Sequence, residues 1–357
     1  MTGQQQHIVV IGAGYAGLAA AARIGKQHRV TLVAPESRFL HRVREHEAAA
    51  GRPAQRPELA KVLRGRQVTH RQARVTELDL AGRKVFLDSG EALSYDTLVY
   101  ALGSRTALHG IPGAAEHAYP AERAAELAER MRTAAQPGTV AVVGGGPTGI
   151  ELATELAEAH PAWQIRIVAA GQVGGWLSPN GRAHVNRVFG RLGVQAHDRS
   201  AVTAVTAAGL RTDQGTIDAD LVVWAASMEP RELAAEAGLA VTPDGRAVVD
   251  AHLRSVSHPE VYVIGDAAQV VVEGVGELRM SCATAQPMGV YLGKLLTGGT
   301  DKPFDFGYVI HCLSLGRKDG LVQLVHKDDS MKPKVLTGTT ARLIKGLIVN
   351  GVLWGLR

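Results

Sequence analysis

Two glycine triplets carry the clearest chemistry in the sequence: Gly12, Gly14 and Gly17 in GAGYAG, and Gly144, Gly146 and Gly149 in GGGPTG. Each stands in GxGxxG order between a short apolar run and an alanine- or leucine-rich helical stretch. In that setting the first glycine permits a tight turn and the second lets backbone approach a pyrophosphate. The third lets helix and strand close up. The helix start then offers unpaired N–H groups and a partial positive charge to phosphate oxygens. One such loop says little, because glycine turns are common. A second, 132 residues later in the same context, predicts two dinucleotide sites on one chain.

The elements that must position these loops repeat one plan. HIVVI (His7–Ile11) reads as a buried strand, 18–23 as an alanine-rich helix and 29–34 as the next strand. TVAVV (Thr139–Val143), 150–159 and 164–169 repeat the series, each unit having the size of a βαβ. Residues 68–99 alternate apolar and polar with turn signals at Ala81-Gly82 and Ser89-Gly90, and read as a small antiparallel excursion returning at DTLVYALG. A helix over 122–132 separates the units; further strands follow, then a helix over 285–296 and a separate region, 304–357.

Composition bounds the answer. A hydrophobic share of 46% with 20% charged residues describes an ordinary soluble globular chain. No run of 18 uncharged apolar residues occurs, and the opening runs straight into a strand, so neither a spanning helix nor a signal peptide is expected. Two cysteines, Cys282 and Cys312, exclude a disulfide framework and point to a reducing cytoplasm. The net charge of +5 lies wholly in 317–357, where eight Lys/Arg face three Asp/Glu; the first 316 residues balance at 31 against 31. That excludes a basic nucleic-acid-binding body and leaves one basic tail suited to an anionic surface. The histidines show no metal spacing, so no metal is expected.

Two nucleotides on one chain suit hydride transfer to a flavin, with the nicotinamide carbon within about 3–3.5 Å of its acceptor. Here the chain resembles the pyridine-nucleotide flavoprotein reductases with two dinucleotide folds, over nearly its whole length. YDTLVYALGS (95–104) is similar to that family's crossing from FAD domain to NAD(P) domain, and DADLVVWAAS (218–227) to the return, with Ser227 in place of glycine. HPEVYVIGDAA (258–268) is similar to its second FAD motif, which implies that Asp266 accepts hydrogen bonds from the ribityl hydroxyls. Alone, Asp266 reads as a helix N-cap. The resemblance implies an FAD site of Gly12, Gly14, Tyr15, Ala16, Gly17, Glu36, Arg42, Val75, Ala101, Gly103, Gly265, Asp266 and Ala285. It implies an NAD(P) site of Gly144, Gly146, Pro147, Thr148, Gly149, Glu151 and Ala226. The implied architecture is α/β, two Rossmann-like domains with the NAD(P) domain inserted in the FAD domain. The expected boundaries are 1–108 and 229–300 for FAD, 109–228 for NAD(P), and 301–357 for a small α+β C-terminal region.

Within the family, the absence of a CxxC pair excludes a disulfide relay through one. The chain is most similar to the type II NADH dehydrogenase-like branch, which reduces quinones at a membrane surface. There the carboxylate matching Glu151 sits near the nicotinamide; its bland reading is a charge favoured by the helix dipole. RFLHRVREHEAAAG (38–51) takes the place of a loop crossing near the flavin. Arg42, Arg44 and His46 then stabilise negative charge or donate a proton, or merely begin a solvated helix; Glu151, Arg42 and His46 are the expected catalytic set. FDFGYVIHCLSLGRKDGLVQ (304–323) is similar to the branch's C-terminal strand pair.

The sequence departs from that pattern at several points. Ala34 replaces the acid that holds the FAD ribose, with Glu36 two residues late, and Ala170 replaces its counterpart in the second unit. NADH and NADPH therefore stay equal. Gly289-Val290-Tyr291 reads as the start of the helix facing the flavin, which puts Pro287 and Ala283 where quinone reductases carry glutamines; TAQ (284–286) is shifted by three. Cys282 and Cys312 read as small buried hydrophobes or as a thiol pair.

TARLIKGLIVNGVLWGLR (340–357) is expected to form an amphipathic helix. Arg342, Lys345, Gly346, Asn350 and Arg357 fall on one face, and Leu343, Ile344, Leu347, Ile348, Val352 and Leu356 mostly on the other. With Trp354 this suits peripheral contact with the inner face of a membrane, or docking on the protein or on a second copy in a homodimer. The expected activity is an FAD-dependent NAD(P)H oxidoreductase with a quinone-like acceptor. A tailoring oxidoreductase, an electron-carrier reductase and a low-turnover flavin redox sensor remain as alternatives.

Overall fold

The computed structural model describes residues 6–52 and 56–355. Apolar runs buried on both faces favour parallel strands covered by helices, and two such five-stranded sheets form. In the first the order is Val261–Val263, Thr97–Tyr100, His7–Ile11, Arg29–Val33 and Val68–Arg71, all parallel. In the second it is Gln195–His197, Gln164–Val168, Thr139–Val143, Leu221–Trp224 and Ala118–Pro120, again all parallel. The strand feeding each glycine loop is central in its sheet. This is the Rossmann-like α/β architecture expected from the repeated plan.

The 68–99 stretch divides differently from its pattern. Val68–Arg71 joins the parallel sheet beside Arg29–Val33; only Val75–Asp79, Lys84–Leu87 and Ala92–Ser94 form the antiparallel excursion. An edge strand alternates half-buried and exposed, so Val68–Arg71 mimics an antiparallel one in sequence. Between the sheets, Ser104–Thr106 and Met228–Pro230 run antiparallel, so the two crossing segments lie side by side. Ser227, just before the second, has φ +60°, a conformation that favours glycine.

The helix Tyr15–Ile24 packs against Cys282–Leu296 at close range because small residues line the seam. A Cβ on Gly289 would lie 2.2 Å from the Ala16 carbonyl oxygen, and one on Gly293 2.6 Å from Arg23 Cβ. This corrects the placing of a helix start at Gly289. The helix begins at Cys282 and carries Pro287 inside it, so Gly289 is a mid-helix contact. The two glycines resemble a start signal only while their packing partner is unseen.

The C-terminal strands Ile310–Ser314 and Gly320–Val325 are joined by a third, Met331–Thr337, in one antiparallel sheet. The helix Gly338–Gly355 follows, its backbone at Arg342 seated where Gly320 leaves room. Its faces differ from those expected. Ala341, Lys345 and Val349 are buried, whereas Leu343, Leu347 and Ile348 are 54%, 73% and 42% exposed. Lys345 is drawn inward by a carboxylate described below, and the helix turns its broadest apolar arc out. Leu356, Arg357 and the Trp354 side chain lie outside the described residues. Among the described residues no helix is long and apolar enough to cross a membrane.

Overpacking a close seam costs about 1–3 kcal/mol. Gly289→Ala should therefore lower stability by roughly that amount in denaturant unfolding, while Gly14→Ala, whose Cβ meets nothing within 4 Å, should leave it nearly unchanged.

Candidate active site

The two glycine loops divide their labour identically. Gly12 (φ +100°) and Gly144 (φ +124°) make the turn, where a Cβ would strike the carbonyl oxygens of Ala101 at 2.3 Å and Ala225 at 2.7 Å. Gly17 and Gly149 sit over the oxygens of Gly12 and Gly144, with added Cβ atoms at 2.0 and 1.8 Å. Gly14 and Gly146 cap their helices and face open space. Beside Gly146, Pro147 and Thr148 are exposed in the first helical turn. An open glycine at the start of a helix is where backbone N–H groups receive phosphate oxygens.

Around the first loop the structure gathers most of the expected residues. Gly265 (φ +74°) places its missing Cβ 3.2 Å from Ala16 Cβ and 3.7 Å from Ala285 Cβ, and Ala101 lies against Gly12 and Gly17. Asp266 accepts a hydrogen bond from Ser104 Oγ at 2.6 Å through Oδ2, while its buried Oδ1 has no partner. A buried carboxylate oxygen left unpaired is costly, and a ribityl hydroxyl would satisfy it; the site fits FAD on this count. Gly103, with φ +64°, follows on the crossing segment. Ala226 lies against Gly144 in the second unit. Two residues stand apart: Glu36 is exposed beyond the end of its strand, and Val75 opens the antiparallel excursion, half-buried. Ser104 was missed, although it ends the crossing motif.

Glu151 and His46 come together, and Arg42 does not join them. The Glu151 carboxylate is buried on the helix Pro147–Ala159. Its Oε1 accepts from Ser314 N at 2.8 Å and meets Lys345 Nζ in direct contact, and its Oε2 lies 3.9 Å from His46 Nδ1. Burial pushes Lys345 down. Burial, then the cations Lys345, Arg317, Arg44 and Arg52, hold His46 well below its ordinary range, so its ring is neutral. Arg42 instead pairs with Glu122 Oε1 at 2.8 Å, which also accepts from Thr106 N. That draws its charge away from Glu151.

The tail helix closes this centre by several contacts. Arg44 donates to Asn350 Oδ1 at 2.8 Å, Gln286 Nε2 to Val352 O at 2.9 Å, and Arg23 to Gly355 O at 3.1 Å. Between it and Cys282–Leu296 runs a groove of about 750 Å³ lined by Gln286, Pro287, Val290, Tyr291, Phe304 and Ile348 among others. Tyr15, buried, meets His41 Nδ1 through its hydroxyl at 2.8 Å. Burial pushes the Cys282 and Cys312 thiols up to about 11 and about 12. At neutral pH both are protonated. Among the described residues no cluster of metal-ligating side chains occurs.

Residues 6–289 match the pyridine nucleotide-disulphide oxidoreductase family. The chain belongs to that family. It is 31% identical over 320 residues to an NADH dehydrogenase-like protein of Mycobacterium tuberculosis, covering 80% of this chain and 78% of that one. A demethylphylloquinone reductase of Synechocystis is 28% identical over 75% of this chain and 73% of its own. The structure of Plasmodium falciparum NDH2 in complex with NADH superposes with a TM-score of 0.83 at 15% identity, covering 99% of this chain and 96% of that one. The family is one of FAD-dependent NAD(P)H oxidoreductases, and the chain is an enzyme of that class.

Removing one partner of a buried ion pair costs about 3–5 kcal/mol, while replacing both by neutral groups often costs little. Lys345→Met should therefore destabilise strongly, and Lys345→Met with Glu151→Gln should recover most of the loss. Denaturant unfolding of the three proteins checks this.

Proposed function

We propose that the chain oxidises NAD(P)H at the second glycine loop and passes the electrons by way of FAD to a quinone-like acceptor. The observation that carries this reading is the buried Glu151–Lys345–His46 centre on the helix behind the second open glycine, in a chain that repeats that open glycine at a first helix start. In this reading 1–108 and 229–300 hold FAD, 109–228 holds the nucleotide, and 301–357 closes over both. The names of similar proteins support it, since one is a demethylphylloquinone reductase.

FAD, when bound, supplies reversible acceptance and release of a hydride. The chain's own residues do the rest. Gly14 and the Tyr15–Ile24 helix start would receive one pyrophosphate, Gly146 and Pro147–Ala159 the other. Asp266, oriented by Ser104, would hold a ribityl hydroxyl on its free Oδ1. Glu151 stays buried between Lys345 and His46, where low dielectric strengthens its influence on charge that develops nearby. The tail helix excludes water from that side.

Donor choice turns on the end of Gln164–Val168. Ala170 is exposed and carries no carboxylate, Gly171 O accepts from Arg199 N at 2.7 Å, and the Arg182 side chain bonds Gln172. With no acid there to repel it, a 2′-phosphate is tolerated at this position. NADPH should reduce the bound flavin at least as fast as NADH under anaerobic stopped flow. Ala170→Glu should shift the preference toward NADH by about tenfold or more, the scale of one charged hydrogen bond. Reoxidation by a quinone panel then tests the acceptor; a reduced flavin that no quinone reoxidises would sink that part alone.

The outward row of Leu343, Leu347 and Ile348 offers the tail helix to a bilayer. Changing these three to serine should abolish flotation with anionic liposomes while leaving NAD(P)H reduction unchanged. Equal flotation of both forms counts against the membrane contact.

A further inference from the structure

The turn between Ile310–Ser314 and Gly320–Val325 holds more partners than a hairpin turn needs. Its Asp319 carboxylate is buried and is shared by three elements. Oδ1 accepts from Gly320 N at 2.8 Å, His184 Nε2 at 2.9 Å and Gly338 N at 2.9 Å, and Oδ2 accepts from Arg191 at 3.0 Å. His184 and Arg191 stand on Pro179–Leu192, whereas Gly338 is the first residue of the tail helix. A carboxylate at a helix start satisfies an N–H that has no partner within the helix, and its charge suits the helix dipole.

Two residues earlier the same turn grips the fingerprint helix. Arg317 N donates to Glu158 Oε2 at 2.8 Å, its guanidinium donates to Glu47 Oε2 at 3.0 Å, and its Nε lies 3.3 Å from Glu155 Oε1. Glu155 and Glu158 belong to Pro147–Ala159, the helix that carries Glu151. Gly316 (φ +72°) makes room for this grip, since a Cβ there would lie 2.0 Å from Glu158 Oε2.

Two helical legs therefore run from one turn. Glu151 lies seven residues before Glu158, and Lys345 lies seven residues after Gly338. At 1.5 Å per residue each leg is about 10.5 Å long. The legs meet at their far ends, where Lys345 Nζ touches Glu151 Oε1. Slipping the tail helix by one residue would turn its side chains by about 100° and carry Lys345 off the carboxylate. Gly320 supplies the seat that prevents this: a Cβ there would lie 2.8 Å from Arg342 N, so the helix backbone rests directly on the turn.

We propose that the turn 316–320 sets the register between the tail helix and the fingerprint helix, and that Asp319 is thereby a positioning residue for the Lys345–Glu151 pair. Asp319 acts through Gly338 N, which fixes where the tail helix starts, and so where Lys345 falls. Arg317 fixes the other leg from the same turn. The effect of Asp319 on rate rests on the role proposed for the Glu151 centre; its effect on the placing of Lys345 does not.

Asp319→Ala and Asp319→Asn test this in the FAD-loaded protein. Both remove the charge that His184 and Arg191 face, and both should lower stability. Only alanine also removes the acceptor for Gly338 N. Asparagine keeps an oxygen there, and Arg191, with a side chain 55% exposed, can turn to water. Reductive methylation of the native protein, read by mass spectrometry, should leave Lys345 protected in the wild type and in Asp319→Asn. In Asp319→Ala its labelling should rise about tenfold or more, while the exposed Lys318 is labelled equally in all. Hydride transfer from saturating NAD(P)H to the bound flavin should slow about tenfold in Asp319→Ala and little in Asp319→Asn, with nucleotide affinity unchanged in both. Lys345 as protected in Asp319→Ala as in the wild type, or equal slowing of the two variants, would overturn the proposal. If Lys345→Met with Glu151→Gln leaves hydride transfer unaffected, the role proposed for the centre fails, and labelling of Lys345 alone decides the register. Should Asp319→Ala not fold, Gly320→Ala presses on the tail helix from the same turn: raised labelling of Lys345 supports the proposal, and unchanged protection refutes it.

Discussion

The contact between Lys345 and Glu151 is the constraint on which the rest of the site depends. Neither charge reaches water freely, and each is tolerable inside the protein only because of the other. Glu151 belongs to the helix behind the second glycine loop, and Lys345 to the last helix of the chain. Ser314 N, on the first C-terminal strand, completes the carboxylate's partners. Three segments far apart in sequence are thereby fixed at one point. The last helix cannot leave without stranding a buried carboxylate, so the centre is closed by an electrostatic requirement as well as by apolar packing.

The two nucleotide-binding units solve the same backbone problem in the same way, yet they differ in how they use acids. In the first, the acid comes from a distant strand: Asp266 follows Val261–Val263 and reaches the loop beside Ser104. In the second, Glu151 and Glu155 stand on the fingerprint helix itself. Each unit lacks the acid at the end of its second strand, where Ala34 and Ala170 stand. The buried acids therefore stand away from the positions where a βαβ unit normally displays them, at contacts with other parts of the chain.

That placement explains which features were legible in the sequence. The glycine loops, the central strands and the crossing segments are governed by local sterics, since positive φ and close backbone approach demand glycine wherever they occur. They were readable residue by residue. The faces of the tail helix were not, because Lys345 answers to a partner 194 residues earlier, and a helical wheel assigns a lone lysine to solvent. The start of Cys282–Leu296 was misplaced for a similar reason: Gly289 serves the neighbouring helix. Arg42 is diverted by Glu122, a residue with no local signal. Glu155 did leave one. In GIELATELAE the glutamates fall at i, i+4 and i+7 on an otherwise apolar helix, a stripe too polar for a core and too regular to be accidental.

The state of the cysteines narrows the route by which electrons can leave. A thiol relay needs a thiolate as its nucleophile, and burial keeps both Cys282 and Cys312 protonated at neutral pH. What remains beside the centre is the groove between Cys282–Leu296 and the tail helix, with a mostly apolar wall of Pro287, Val290, Tyr291, Phe304 and Ile348. Ile348 stands one helical turn from Lys345. A molecule seated in the groove therefore leans on the same helix that holds the buried lysine against Glu151. The wall of the groove and the buried ion pair thus share one element, Gly338–Gly355, which the Lys345–Glu151 contact holds in place.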